Sequence, residues 1–160
     1  VEEMAKQIED VCLRLLMQRE HSQKELLDKL ALRGFTKEDV QPVVEDLADK
    51  GWQSDIRYAE SYARSRIMKG YGPVRVAYEL KQNGVEINTL DQIVQTVAGS
   101  WMGLIEQVYD KKYQQDRLLS RSEWAKRSRF LVQRGFSFEM INALFDQLQI
   151  KFYNIVLKNH

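Results

Sequence analysis

Six basic side chains between residues 54 and 84 (Arg57, Arg64, Arg66, Lys69, Arg75, Lys81) face only three acids (Asp55, Glu60, Glu79), a local charge of +3. Residues 111–134 repeat the bias with eight bases against two acids, among them Lys126, Arg127, Arg129 and Arg134. Most of these bases are arginines, whose planar fork of donors suits bidentate contact with phosphate or carboxylate. Tyr71 lies among them on the turn Gly70-Tyr71-Gly72-Pro73, where an exposed ring can stack on a nucleic-acid base. The chemistry on offer is therefore the holding of a polyanion. Elsewhere the balance reverses: residues 1–53 carry eight bases and twelve acids, and residues 85–110 carry four acids and no base. The net charge of +1 thus hides alternating blocks, and a face shared by the two basic blocks would hold a polyanion despite the near-neutral total. For any single run of Lys and Arg, the competing explanation is a solvated helix face.

Covalent chemistry has no comparable foothold. The two histidines, His21 and His160, are far apart in sequence, and the single cysteine, Cys12, sits among Val11, Leu15 and Leu16 as a small core residue. That leaves no zinc-ligand spacing, and Gly70-x-Gly72 follows a helical pattern where a phosphate cradle would follow a strand. The carboxylates fall on polar helix faces. We assign no catalytic residue, no metal ligand and no cofactor, and read the chain as non-enzymatic. One cysteine excludes an intrachain disulfide, which fits a reducing cytoplasm. No run of 18 apolar residues exists to span a membrane, and a monomer is expected.

The elements that must position the basic residues read as helices. Ser54 starts an arginine-studded pattern that breaks at Gly70. Pro73 then suits the first position of the next helix and Gly84 its end. Ser22-x-x-Glu25 and Ser120-x-x-Glu123 are capping boxes. Pro42 conflicts with a helix opened by Thr36, so either Asp39 is the cap or that helix kinks. The glycines set a register: Gly34, Gly84 and Gly135 are 50 and 51 residues apart. Leu30, Leu80 and Leu131 stand four positions before them, and Val44, Val94 and Phe145 ten after. Ile8, Tyr58 and Tyr109 stand 26 before. A shared apolar register of this length predicts an all-α chain of three tandem three-helix repeats of about 50 residues, forming an elongated, curved array. The expected boundaries are 1–53, 54–99 and 100–148, with a tail at 149–160 that is apolar enough to pack but lies outside the repeat. Arg64, Arg66, Lys69, Arg75, Lys126, Arg127 and Arg129 should be exposed, and Tyr58 and Tyr62 buried.

The central motif resembles a known family. Asp55-x-Arg57-Tyr58-Ala59-x-x-Tyr62-Ala63-x-Ser65-Arg66-x-x-Lys69-Gly70, then Gly72-Pro73-x-Arg75-Val76-x-x-Glu79-Leu80-x-x-x-Gly84-Val85, is similar to the signature of RecX, the bacterial regulator of the RecA recombinase. The likeness continues through Arg19-x-His21-Ser22-x-x-Glu25-Leu26-x-x-Lys29-Leu30, and through Lys126, Arg129-Phe130-Leu131 and Arg134-Gly135-Phe136. It spans about residues 10–148. The resemblance implies a cytoplasmic modulator that lies in the groove of the RecA filament on DNA. Such a protein impedes filament extension and suppresses ATPase, strand-exchange and coprotease activities. Its partners would be that filament and single-stranded DNA, with duplex DNA as a further target. Arg57, Arg64, Arg66, Lys69, Tyr71, Arg75, Lys81, Lys126, Arg127, Arg129 and Arg134 are the candidate contacts.

Two other readings compete. A helix-turn-helix regulator would read duplex sequence with the third helix of a unit. Those helices (36–50, 89–98, 137–148) are poor in Arg, Asn and Gln on a shared face. A scaffold that binds only protein would leave the basic faces solvated, and salt-dependent DNA binding separates it from the others.

Overall fold

Capping serines and the αL residues that end helices divide the chain into nine helices among the described residues. The structure, a computed structural model, describes residues 2–114 and 116–153. The helices are α1 (Glu2–Gln18), α2 (Gln23–Leu32), α3 (Lys37–Asp49), α4 (Asp55–Met68), α5 (Pro73–Gln82), α6 (Leu90–Ala98), α7 (Trp101–Lys112), α8 (Arg121–Arg134) and α9 (Phe138–Gln147). They fall into the expected triplets. The repeat signal is visible in the hydrogen bonding: the carbonyls of Leu30, Leu80 and Leu131 each accept the N–H of the residue five positions on, Phe35, Val85 and Phe136. Each is a Schellman closure, and all three leucines are fully buried. Ile8, Tyr58 and Tyr109, and Val44, Val94 and Phe145, are buried in register as well.

The helices assemble into two compact units, Val1–Tyr62 with Glu79–Asn88, and Ala63–Tyr78 with Thr89–His160. In the first, Ile8, Val11, Cys12, Leu26, Leu30, Val40, Val44 and Leu47 form one apolar cluster. Ser22 closes the predicted capping box: its hydroxyl accepts from Glu25 N–H at 3.0 Å while the Glu25 carboxylate accepts from Ser22 N–H at 3.1 Å. For α3 the cap is Thr36, so Asp39 is not the start. Pro42 lies inside the helix and denies the Glu38 carbonyl its usual N–H partner.

His21 is completely buried between α1 and α2. Lys29 Nζ, which can only donate, lies 2.8 Å from Nε2, so Nδ1 carries the proton and donates to the Arg19 carbonyl at 3.0 Å. Burial lowers the pKa of this imidazole, and the Arg19 and Lys29 charges lower it further, against the pull of the Arg19 carbonyl and Glu25. The unfolded chain therefore binds the extra proton first, and stability should fall as the pH drops through about 6.5. Urea titrations at pH 7.5 and 5.5 should show a loss of up to about 1.4 kcal/mol per pH unit in that window. A His21→Gln variant should lose that pH slope, and an unchanged slope would remove His21 as its source.

In the second unit α7 packs against α6 and α9, and α8 against α9. Trp124 meets Phe145 edge-on at 4.6 Å and Phe152 at 5.0 Å. The start of the tail adds something the helical register did not predict. Gln149 takes a left-handed φ of 57°, and Lys151–Phe152 (β2) then pairs in parallel with Leu118–Leu119 (β1). Ile150 and Leu119 are buried at that junction. The remainder of the tail, with His160, lies outside the described residues.

Candidate nucleic-acid interface

The segment around Gly70–Pro73 is positioned by backbone. The N–H groups of Gly72 and Val74, at the start of α5, donate to the carbonyls of Arg134 and Gly135 at 2.8 and 3.0 Å. Orphan donors at one helix start meet orphan acceptors at another helix end, and their dipoles attract. Contact this close requires glycine: a Cβ on Gly72 would lie 2.5 Å from the Gly135 oxygen.

Around this junction three guanidinium groups converge on one ring. Arg66, Arg75 and Arg134 place their central carbons 3.8, 4.4 and 4.2 Å from the centroid of Tyr71. Arg134 also donates to the carbonyls of Lys69 and Gly70 at the end of α4, and Arg75 donates to the Gln133 carbonyl at 2.9 Å. The ring is half-buried beneath cations, so Tyr71 is not the exposed stacking platform the turn suggested. It gathers three positive charges through cation–π contact.

Nine of the eleven candidate side chains belong to the second unit; Arg57 and Lys81 belong to the first. Arg64, Lys69, Lys126 and Arg129 are exposed as expected. Among the described residues they pair with no carboxylate. Arg66 and Arg75, expected at the surface, are half-buried, because Tyr71 draws them inward. Lys81 is exposed on α5. Arg57 is engaged within the fold: it donates to Glu20 at 3.3 Å and to the Gly51 carbonyl at 2.9 Å, where α3 ends.

Arg127 corrects the surface expectation outright, with 6% of its surface exposed. Its Nε donates to Glu123 at 2.9 Å, and one Nη donates to the Tyr109 hydroxyl at 2.8 Å and the Gln114 carbonyl at 3.2 Å. Asp116 lies at 3.5 Å, and Tyr113 stacks at 4.5 Å. Burial alone would lower the guanidinium pKa, but the bonds to Tyr109 and Glu123 outweigh it and hold it above its ordinary value. The inner face of α8 runs through Arg127 and Leu131, while Val132 is 39% exposed. Glu123 turns its carboxylate to Arg127, so the Ser120 cap keeps only its forward bond, to Glu123 N–H at 3.0 Å. A buried arginine needs several acceptors gathered from distant positions, and helical spacing alone does not reveal them.

Other signature residues prove structural. Asp55 accepts from Gln23 N–H at the start of α2 and from the buried Gln53, both at 2.9 Å. The Tyr58 hydroxyl accepts from Asn83 at 2.6 Å, and burial pushes its pKa up to about 12. Tyr58 is buried as expected, whereas Tyr62 is half-buried and donates to Glu79 at 3.1 Å. The groups of His, Cys, Asp and Glu that could hold a metal ion number none among the described residues. No described helix is long and apolar enough to cross a membrane.

The chain is similar to known proteins over most of its length. Models of the RecX family match the chain in three places: the first three-helix domain over residues 10–47, the second over 54–92 and the third over 103–145. Regulatory protein RecX of Legionella pneumophila (strain Corby) is 36% identical over 140 residues, covering 88% of this chain and 93% of the relative. Its counterpart in Halorhodospira halophila is 37% identical over 136 residues, covering 85% and 84%. The crystal structure of RecX from Lactobacillus salivarius shares the fold, with a TM-score of 0.71 at 21% identity over 92% of this chain and 98% of that one. The chain belongs to the RecX family.

Proposed function

We propose that this protein is a non-enzymatic, monomeric, cytoplasmic modulator that binds the RecA recombinase filament on DNA. It inhibits filament extension and, through that, the recombinase's ATPase, strand-exchange and coprotease activities. The observation that carries this reading is the set of exposed bases Arg64, Lys69, Lys126 and Arg129 in a single compact unit of a RecX-family chain. Among the described residues none of them forms an ion pair with a carboxylate, and they can meet phosphate or an acidic protein surface. Arg66, Arg75 and Arg134, gathered on Tyr71, add a fixed concentration of positive charge in the same unit; Lys81, exposed on α5 in the first unit, is a separate basic candidate. Arg127 is left out of the contact set, because its donors are consumed inside the fold.

Phosphate contact has a direct signature. The affinity for a single-stranded oligonucleotide should fall with salt on a log–log slope of about 0.7 per phosphate neutralised; a flat dependence would favour contact through protein alone. Extension is tested by electron microscopy of RecA filaments nucleated on single-stranded DNA. Filaments should be shorter in the presence of this protein, and unchanged lengths at saturating protein would refute the proposal.

A further inference from the structure

A groove of about 920 Å³ opens in the second unit, bounded by the end of α4, by α7 and by α8. Its floor is aliphatic: Leu104 and Val108 lie nearly buried beneath it, and Met68 stands over it with 71% of its surface exposed. The edge is basic. Lys69, Lys111 and Lys112 line it with exposed side chains, and Arg134 adds a fourth cation against one acid, Asp110. The volume falls in the range of ligand-binding clefts.

We propose that this groove takes an acidic, amphipathic segment of a partner protein, with apolar anchors on the floor and carboxylates on the lysine edge. The charge of the edge calls for an anionic occupant. The floor decides between a protein and a nucleic acid, because single strands bind through aromatic rings that stack on bases. Among the described residues that line this groove the one aromatic ring, Phe130, is half-buried and has its face capped by Lys112 Nζ at 4.0 Å. Aliphatic side chains, with an exposed and adaptable methionine among them, fit apolar protein anchors. Lysines, as flexible point charges, fit carboxylates whose positions vary along a peptide, whereas a fixed bidentate site would use arginine. The mode is a helix laid in a groove, read by anchors at i, i+3 and i+4. It shares Lys69 and Arg134 with the proposed phosphate contact, whereas Arg64, Lys126 and Arg129 do not line the groove, and it does not depend on that contact.

The test is selection of a displayed random peptide library, about three helical turns long, on the intact protein. Counter-selection uses the Lys111→Glu/Lys112→Glu variant, and chosen peptides are then measured by fluorescence anisotropy. Sequences pairing Asp or Glu with Leu, Ile or Phe at helical spacing should be enriched. Their affinity should drop about tenfold or more in the double variant and also in Met68→Ser, an exposed change that spares the fold. Met68→Ser should leave oligodeoxythymidine affinity unaltered. Absence of acidic amphipathic sequences, or selected peptides indifferent to both variants, would overturn the proposal. It would equally fail if the groove variants weakened oligodeoxythymidine binding and no peptide bound. Self-association abolished by Lys111→Glu would give the groove to a second copy of the chain, and the proposal would fall. None of these results bears on whether the protein shortens RecA filaments.

Discussion

Gly135→Ala should destabilise the protein by about 2–5 kcal/mol, through left-handed strain and overpacking acting together. Gly135 closes α8 at φ 103°. A Cβ there would meet Arg75, 2.8 Å from its backbone nitrogen, and the Gly72 oxygen at 3.0 Å. These are mostly backbone atoms, held by the two backbone hydrogen bonds from the start of α5 to the end of α8, so they cannot step aside as a flexible side chain would. The comparison that isolates the clash is Gly34→Ala. Gly34 has a similar φ of 94° but open space where its Cβ would go, so it should cost only the strain, about 1–2 kcal/mol. In urea denaturation the Gly135 variant should be clearly the weaker of the two. Equal midpoints would mean that the α5–α8 junction is not tightly packed.

The largest effect on function should come from reversing the four exposed bases. Arg64→Glu, Lys69→Glu, Lys126→Glu and Arg129→Glu together should leave the fold nearly intact, since exposed changes usually shift stability within about ±0.5 kcal/mol each. Arg66 and Arg75 are poorer choices, because they are half-buried on Tyr71. Arg127 would be worse still: it is buried, and removing it takes the donor from the buried Tyr109 hydroxyl as well as from Glu123, so lost folding would be confused with lost binding. The quadruple variant should lose most of its inhibition of RecA. Its salt slope for single-stranded DNA should shrink by up to about 3, at about 0.7 per contact. A folded variant that inhibits as well as the wild type would remove these side chains from the mechanism and leave the family membership untouched.

Much of the fold was legible because its determinants are local and repeated. The leucine four positions before the glycine that closes the second helix of each repeat carries both burial and a Schellman bond, so spacing alone located Leu30, Leu80 and Leu131. The serine caps were equally readable. The β1–β2 pairing was not, since two-residue strands leave no periodic trace and Gln149 takes an αL position without being glycine. At the candidate site, net charge located the bases but could not tell solvated from committed ones. Arg127 lies on an inner helix face because Tyr109, Gln114 and Asp116 come to it from the α7 end of the chain. Tyr71 was marked out by its turn, yet the three arginines that cover it arrive from α4, α5 and α8. Those convergences belong to tertiary structure and have no signature in linear order.

The most direct measurement is the ATPase rate of RecA on single-stranded DNA, with this protein added in increasing amounts. The proposed mode of action predicts a rate that falls progressively as filaments stop extending, with the quadruple charge-reversal variant far less effective at the same concentrations. A rate that stays constant up to an excess of folded wild-type protein over recombinase would contradict it.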